Sequence, residues 1–316
     1  MEMLNRTVAN SSTTKPPTSV LRRSSDLAPA MLLSLCFLVG FPGNIAVLIF
    51  RPTWQQLSRL SQCLMMNLAM SDLLCLVTLP VWIYTLLYSW TLGVATCKIM
   101  AFIVHCSLNS SLLTVTALSI QRYMQVIHQK RCLRFKKRLL VLLWAMSMVL
   151  SISPLVVRDI KIRIGSDRHM CFPCYNSTNT AQQVAVLFSE CFVGFSSFFI
   201  TAFTYICLNR KMNQAVFLKR SWTSKLITAI IITFFALWMP YFIFDLVVGV
   251  AIIQKVSGIH KFFESSYNIF ASVTFINSCL NPILYAFALR ICGKRNKINS
   301  SNHEEPTMTN DVSHVM

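Results

Sequence analysis

The sequence predicts an all-α membrane protein: a seven-transmembrane helix bundle followed by a short amphipathic helix on the cytoplasmic side. Of its residues, 54% are hydrophobic and only 13% are charged, whereas soluble domains carry about 25% charged residues. Seven apolar stretches are long enough to cross a bilayer, which takes about 20 helical residues. Basic residues concentrate in alternate connections between these stretches, which is typical of multi-pass membrane proteins.

The apolar stretches define seven predicted membrane spans, numbered in chain order. They cover residues 28–50, 62–87, 97–127, 139–158, 182–208, 224–250 and 264–289. The chain therefore divides into an extracellular glycosylated tail, a seven-helix transmembrane domain, and a cytoplasmic helix with a regulatory tail. These three parts are predicted over residues 1–26, 27–289 and 290–316.

The charge pattern predicts the orientation of the chain in the membrane. A net charge of +18 would suggest nucleic-acid binding in a soluble protein, but no basic-aromatic motif of that kind occurs. The basic residues lie instead before spans 2, 4 and 6 and after span 7. The positive-inside rule then predicts an extracellular N-terminus and a cytoplasmic C-terminus. Glycosylation sequons at Asn5, Asn10 and Asn176 fall on the predicted outer side, which agrees.

Span 3 differs from the other spans because it carries a polar series near its middle. The series includes Ser107, Asn109 and Ser111, while the span contains no Asp or Glu. Polar groups at bilayer depth are costly and usually face the interior of a bundle. Span 3 is therefore predicted to be a central helix that contacts many others.

Asp72 is a carboxylate within the apolar span 2, and an intramembrane carboxylate is a functional-site hypothesis by default. Its candidate partners are hydroxyl and amide side chains at similar depth: Ser111, Asn277, Ser278 and Asn281. Oxygen ligands of this kind suit a small hard cation such as sodium. A purely structural hydrogen-bond cluster is the alternative, and the sequence leaves both open. No other cofactor is indicated.

Proline residues inside spans 6 and 7 predict kinks, since proline removes a helical hydrogen bond. Pro240 follows the bulky Trp238 by two residues, and Pro282 follows Asn281 directly. A kink beneath a large aromatic side chain would allow the cytoplasmic end of span 6 to swing about the kink. A packing kink without further function is the alternative.

Together these motifs resemble the rhodopsin-like family of G-protein-coupled receptors over residues 28–298. The resemblance implies a cell-surface receptor that opens an inner cavity to a heterotrimeric G protein and performs no bond chemistry itself. It is carried, in chain order, by Gly43-Asn44 with Val47, Leu68-Ala69 with Asp72, Cys97, Arg122-Tyr123, Trp144, Trp238 with Pro240, and Asn281-Pro282 with Tyr285.

The resemblance also implies roles for individual residues. It favours a disulfide between Cys97 and Cys171 on the oxidising outer side, with Cys174 as a third candidate and free thiols as the alternative. The activation switch that it implies consists of Arg122, Tyr123, Tyr205, Phe234, Trp238, Pro240, Asn281, Pro282 and Tyr285.

Two positions depart from the family pattern at the cytoplasmic end. Gln121 stands where the family usually has an acid before the arginine of span 3, and Arg220 stands near the usual acidic position of span 6. The usual ionic restraint on Arg122 is therefore missing. We hypothesise that the inactive state is only weakly stabilised and that ligand-free signalling is therefore raised.

Residues on the predicted outer side indicate which class of ligand the receptor binds. Val104 stands where amine receptors carry an aspartate, which argues against an amine. Basic residues around the outer loop after span 4 make a positive mouth, which concentrates anionic ligands unless it is only a solvated rim. Three pieces of local sequence resemble the leukotriene B4 receptor branch of chemoattractant receptors: residues 170–173 of that loop, Leu187-Phe188 with Glu190 and Gly194 in span 5, and residues 233–241 in span 6.

That second resemblance implies a carboxylated, hydroxylated fatty acid as the ligand, with a peptide chemoattractant as the alternative. Such a lipid needs a cation, hydroxyl partners and an apolar slot. Arg158 is the candidate for the carboxylate, His105 and Glu190 for hydroxyl groups, and Trp238 for the floor, with Tyr241 beside it. Arg158 and His105 are assigned by depth alone, and His105 is equally compatible with a packed helix histidine.

The cytoplasmic segment carries regulatory candidates. Cys292 lies in a basic run that suits a short helix along the membrane lipid and is a candidate palmitoylation site. The Ser- and Thr-containing tail suits phosphorylation by a receptor kinase and binding of arrestin, although a plain unstructured tail fits as well. Internal repeats or a catalytic cluster would indicate a transporter or an enzyme, and neither is found in the sequence.

Overall fold

The computed structural model describes a bundle of long helices with one small hairpin. The described residues are 18–49, 58–127, 136–162, 168–173, 180–214, 222–259, 262–263 and 266–283. Six of the helical segments are long and apolar enough to cross a membrane. A further helix over residues 266–283 corresponds to span 7, so the predicted seven-helix bundle is confirmed; the cytoplasmic amphipathic helix lies outside the described residues.

The observed helices match the predicted spans in number and order but differ in their ends. Span 1 is Thr18–Ile49, span 3 is Gly93–Ile127, span 5 is Thr180–Gln214 and span 6 is Trp222–Ile253. The helix of span 1 thus begins ten residues before the predicted start at residue 28, whereas its apolar, membrane-spanning part, Asp26–Ile49, begins within two residues of it. No Gly or Pro occurs between Thr18 and Leu27, so no helix-breaking residue separates this stretch from the apolar run.

Spans 2 and 4 are each divided into two helices. Span 2 consists of Arg59–Leu76 and Leu79–Leu87, and span 4 consists of Lys136–Leu150 and Ile152–Val157. The break in span 2 precedes Pro80, which has no backbone N–H to continue the helical ladder. At this break the Cys75 carbonyl accepts both from the hydroxyl of Thr78 at 2.7 Å and from the backbone N–H of Thr78 at 3.1 Å.

The loop after span 4 contains a β-hairpin, which the all-α prediction did not include. Strand β1, Arg158–Ile162, pairs antiparallel with strand β2, His169–Pro173, and Ile160 lies opposite Cys171. A disulfide joins Cys171 to Cys97 at the predicted outer end of span 3, so the pairing that the family resemblance favours is present. The hairpin is thereby held over the mouth of the bundle.

The hairpin is also fixed to the outer ends of spans 1 and 2. Arg168 forms an ion pair of 3.1 Å with Asp26 of span 1. The same guanidinium donates to the carbonyl of Leu86 at 3.2 Å, and the backbone N–H of Trp90 donates to the His169 carbonyl at 2.8 Å. These contacts tie three elements together at the rim of the outer cavity.

Span 3 is the central helix of the bundle, as predicted. It packs against spans 2, 4, 5 and 6 and against β1. Spans 1 and 7 approach each other closely because of glycine: a Cβ atom on Gly40 would lie 2.9 Å from the Cβ of Cys279. Asn44 of span 1 donates to the backbone carbonyl of Ser278 at 2.8 Å. This contact fixes span 7 beside the polar centre of span 2.

Candidate functional site

A cavity opens at the outer side between the helices and beneath the hairpin. It has a volume of about 1050 Å³, counting its open mouth. Most of its wall is apolar, including Val104, Leu108, Leu112 and Phe275. The five residues predicted to contact a ligand line this one cavity: His105, Arg158, Glu190, Trp238 and Tyr241.

Arg158 is the buried cation of this cavity. It ends the second helix of span 4 and begins β1, so the change from helix to strand brings it beneath the hairpin rather than into the loop. Its guanidinium donates to the hydroxyl of Tyr267 in span 7 and lies 5.4 Å from the centre of the Tyr267 ring. A planar cation held by a phenol in this way is already oriented to meet a carboxylate.

His105 and Glu190 continue this polar cluster across the cavity. The Nε2 atom of His105 lies 3.5 Å from the guanidinium of Arg158, and its Nδ1 atom lies 3.8 Å from the carboxyl of Glu190. Tyr241 donates its hydroxyl to the other Glu190 oxygen at 3.2 Å. Spans 3, 5, 6 and 7 and β1 thus each contribute one side chain to a connected set of polar groups.

Two members of this cluster were missed in the sequence. Tyr267 is the hydrogen-bond partner of Arg158. Asp245 of span 6 is 1% exposed, and its Oδ2 atom has no hydrogen-bond partner in the part of the chain that the structure describes. A single acid within the apolar run of span 6 indicates a functional site by itself, as Asp72 does in span 2. Tyr267 carries no such signal, because tyrosine is common near the ends of membrane spans.

An aromatic stack lies under the cavity in span 6. Trp238 stacks on Phe234 with ring centres 5.6 Å apart and on Phe242 with ring centres 5.3 Å apart. Pro240 lies inside this helix between Trp238 and Phe242. The rings therefore surround the one position of span 6 where the backbone ladder lacks a donor.

The polar centre of the bundle is built on Asp72. One carboxyl oxygen accepts from Ser111 at 3.2 Å and from Ser278 at 3.0 Å. The other accepts from the amide of Asn281 at 2.7 Å. Among the described residues, Asn277 does not bond to Asp72, although its buried side-chain oxygen has no hydrogen-bond partner. Carboxylate and hydroxyl oxygens drawn from spans 2, 3 and 7 fit a small hard cation.

At the inner end, a second cavity of about 270 Å³ adjoins Arg122. Two guanidinium nitrogens of Arg122, Nε and Nη2, are buried without a hydrogen-bond partner in the structure as far as it is described. Gln121 does not turn toward Arg122; it donates to the hydroxyl of Ser58 at 2.7 Å. Tyr205 lines the same cavity, and Tyr123 packs on Phe203 of span 5 with ring centres 6.4 Å apart.

Several predicted residues lie outside the described part of the chain. They comprise the sequon asparagines Asn5, Asn10 and Asn176, the third candidate Cys174, the departure Arg220, the switch residue Tyr285 and the lipidation candidate Cys292.

Comparison with known proteins agrees with this architecture. The family described as 7 transmembrane receptor (rhodopsin family) matches residues 43–285. The chain belongs to this family of rhodopsin-like receptors, which are membrane receptors and not enzymes.

Individual relatives differ in the ligands that they are named for. Leukotriene B4 receptor 1 of Homo sapiens is 28% identical over 295 residues, covering 88% of this chain and 82% of the relative. Type-1 angiotensin II receptor B of Xenopus laevis is 27% identical over 272 residues, covering 81% of this chain and 74% of the relative. Type-1 angiotensin II receptor B of Rattus norvegicus is 28% identical over 272 residues, covering 81% and 76%.

Proposed function

We propose that this receptor binds a carboxylated, hydroxylated lipid mediator of the leukotriene B4 type in its outer cavity. Binding then activates heterotrimeric G proteins in chemotactic or inflammatory signalling. The observation that carries the proposal is the combination of one buried cation, Arg158, with an apolar wall. Arg158 supplies the charge for a carboxylate, and His105 and Glu190 are in position to pair with hydroxyl groups.

The lipid is favoured by the shape and polarity of the site. Small-molecule sites are mostly apolar and have a few converging polar groups, and here the polar groups gather on one side, around Arg158. The wall formed by Val104, Leu108, Leu112 and Phe275 accommodates a hydrocarbon chain. A chain lying on Trp238 would press on the aromatic stack beside Pro240, which supports span 6 as the element that moves.

A peptide chemoattractant is the second candidate. The angiotensin II receptors are as similar to this chain as the human leukotriene receptor is, at 27–28% identity. The cavity is open at its mouth and the hairpin provides backbone groups at its rim, which also suits a peptide terminus.

The remaining assignments complete the proposed receptor. Its N-terminus faces the outside and carries sugars at Asn5, Asn10 and Asn176, while Cys292 is lipid-modified and the phosphorylated tail binds arrestin. Asp72, with Ser111 and Asn281, holds a sodium ion, a cation that would link spans 2, 3 and 7 when bound. The charge pattern and the donor set at Asp72 support these assignments.

The test is a ligand panel on cells that express the full chain. Leukotriene B4, its carboxyl methyl ester and a set of chemoattractant peptides including angiotensin II are compared by calcium and cyclic-AMP readouts. The proposal expects a response to the free acid and a strongly reduced response to the ester, since the ester cannot pair with Arg158 as an anion. A response only to peptides would replace the lipid by the second candidate.

A further inference from the structure

Arg122 is a cation for which the inner side of the bundle supplies no nearby acid in the sequence. The predicted connections after spans 1, 3 and 5 contain no Asp or Glu. On this side, acids occur only in the C-terminal tail, as Glu304, Glu305 and Asp311. A guanidinium stays protonated in proteins, and a buried charge is costly unless an opposite charge accompanies it. The positive charge of Arg122 therefore calls for an anion that the loops do not provide.

The unpartnered donors of Arg122 lie on one edge of its guanidinium plane. The Nε and Nη2 atoms are buried and have no hydrogen-bond partner among the described residues. By the covalent geometry of arginine, the N–H groups of these two atoms point in the same direction, so one anion can accept from both. Gln121 is neutral, and its amide donates to Ser58 at 2.7 Å instead. This edge of Arg122 is therefore a two-donor receptor for an anion.

The inner cavity provides the space for such an anion. It has a volume of about 270 Å³, counting its open side, and its walls come from spans 3, 5 and 6. Besides Arg122, four residues with hydroxyl groups line it: Ser119, Thr204, Tyr205 and Thr228. Only a small part of the volume is wide enough for a water-sized particle, which favours a monatomic anion over a phosphate or a larger carboxylate.

Basic side chains around the inner end favour an anion over water in this cavity. Lys137 and Arg138 at the start of span 4 are exposed, as are Arg210 and Lys211 near the end of span 5. A region with one sign of charge raises the local concentration of the opposite ion. Water would satisfy the two N–H groups of Arg122, but it would leave the charge uncompensated.

We propose that the inner cavity is a binding site for a small monovalent anion such as chloride, held by the Nε–H and Nη2–H groups of Arg122. The anion takes the place of the acid that Gln121 does not supply. Its restraint on the inner end is partial, because an ion dissociates, whereas a carboxylate fixed on the helix stays in place. Chloride is therefore a negative regulator of ligand-free activity, at a site separate from the outer cavity.

The first test measures the thermal unfolding temperature of the purified full chain in lipid nanodiscs, without G protein or ligand. Sodium chloride replaces sodium gluconate at constant ionic strength, so a sodium ion at Asp72 contributes equally in both salts. Chloride at ten times its dissociation constant should raise the unfolding temperature by about 3–6 °C, and the effect should saturate. An unfolding temperature that is equal in both salts would overturn the proposal.

Variants beside the cavity separate this site from general salt effects. Gln121→Asp supplies a fixed carboxylate and should lose the chloride shift. Arg122→Gln removes the cation and should lose it as well, whereas the neutral Gln121→Asn should keep it. A cooperative unfolding transition in gluconate shows that each variant is folded. If Gln121→Asp and Arg122→Gln kept the full shift, chloride would act elsewhere and the proposal would be wrong.

The second readout is ligand-free nucleotide exchange, from which the exchange by G protein alone in the same salt is subtracted. Chloride should lower exchange by the wild type relative to gluconate and should leave exchange by Gln121→Asp unchanged. Equal wild-type exchange in both salts would contradict the regulatory role. Neither readout uses a ligand, so the result is independent of whether the outer cavity binds a lipid.

The acidic tail of the same chain is the competing occupant of the site. Glu304→Gln combined with Glu305→Gln should leave both the chloride shift and the unfolding temperature in gluconate as in the wild type. If chloride does not stabilise the wild type and the double variant unfolds at a lower temperature, a tail carboxylate pairs with Arg122, and the proposed anion site is wrong.

Discussion

Arg158 and Arg122 lie at opposite ends of the bundle, and their surroundings differ. Arg158 at the outer cavity donates to Tyr267 and lies beside His105. Arg122 at the inner end has two buried nitrogens without partners in the described structure, and its neighbour Gln121 bonds to Ser58 instead. The outer site is thus organised before a ligand arrives, which lowers the cost of binding, whereas the described part of the inner end offers no partner to these two nitrogens of Arg122.

The largest expected effect comes from removing the outer cation. Arg158→Ala leaves a ligand carboxylate and Glu190 without a positive partner, and truncating one member of a buried charge pair costs at least about 2 kcal/mol, or about 30-fold in affinity. Binding of tritiated leukotriene B4 measures this loss. Lys161→Ala, three residues further along the same strand and so on its opposite face, should bind normally. Equal affinity in both variants would show that Arg158 does not bind the ligand.

The packing beside the outer cavity gives the second expected effect. A Cβ atom on Gly194 would lie 2.3 Å from the ring of Phe242, and Phe242 is buried and cannot move aside. Gly194→Ala should destabilise the receptor by about 1–3 kcal/mol through overpacking, measured as a lower thermal unfolding temperature in detergent.

Gly249→Ala is the matched control for this substitution. Its added Cβ would meet Phe188 at 3.0 Å, and Phe188 is 37% exposed, so the ring has room to turn. We expect a clearly smaller loss of stability than for Gly194→Ala. A similar loss for both glycines would show that the closeness of spans 5 and 6 does not decide the effect.

The third prediction concerns Asp72, which lies between the two arginines. The sodium ion proposed to bind there would stabilise the closed arrangement, by about tenfold at ten times its dissociation constant. Replacing sodium by N-methylglucamine should therefore raise ligand-free nucleotide exchange in the wild type. Asp72→Asn keeps the size of the side chain but lacks the charge, and its exchange should not respond. If Asp72→Asn still responded to sodium, Asp72 would not bind the ion, and its hydrogen-bond cluster would have a structural role only.

Much of the architecture could be predicted from the sequence because the bilayer imposes it. A helix of fixed minimum length must satisfy its own backbone, so apolar run length identified the spans. Polar residues that interrupt such runs must face inward, which is why Asp72 was paired correctly with Ser111 and Asn281. The ends were less well predicted: the polar residues that follow Thr18 extend span 1 without an apolar signal.

The hairpin and Asp245 show where the sequence was insufficient. The alternation of Ile160 and Ile162 with polar neighbours fits a strand, but this local pattern does not reveal that the strand pairs with β2. Asp245 carried the same signal as Asp72, a lone acid in an apolar run. Its place beside the cavity depends on how span 6 packs on its neighbours, and one sequence does not reveal which faces of two helices meet.

The contrast between the two arginines is tested most directly at Gln121. The measurement is ligand-free nucleotide exchange by heterotrimeric G proteins on the purified receptor in nanodiscs, for wild type, Gln121→Asp and Gln121→Asn. An acid beside Arg122 restores an ionic restraint of about 1 kcal/mol. Gln121→Asp should therefore lower ligand-free exchange about fivefold, whereas the neutral Gln121→Asn should leave it unchanged. Equal exchange in all three receptors would contradict the hypothesis that a missing ionic restraint on Arg122 raises ligand-free exchange.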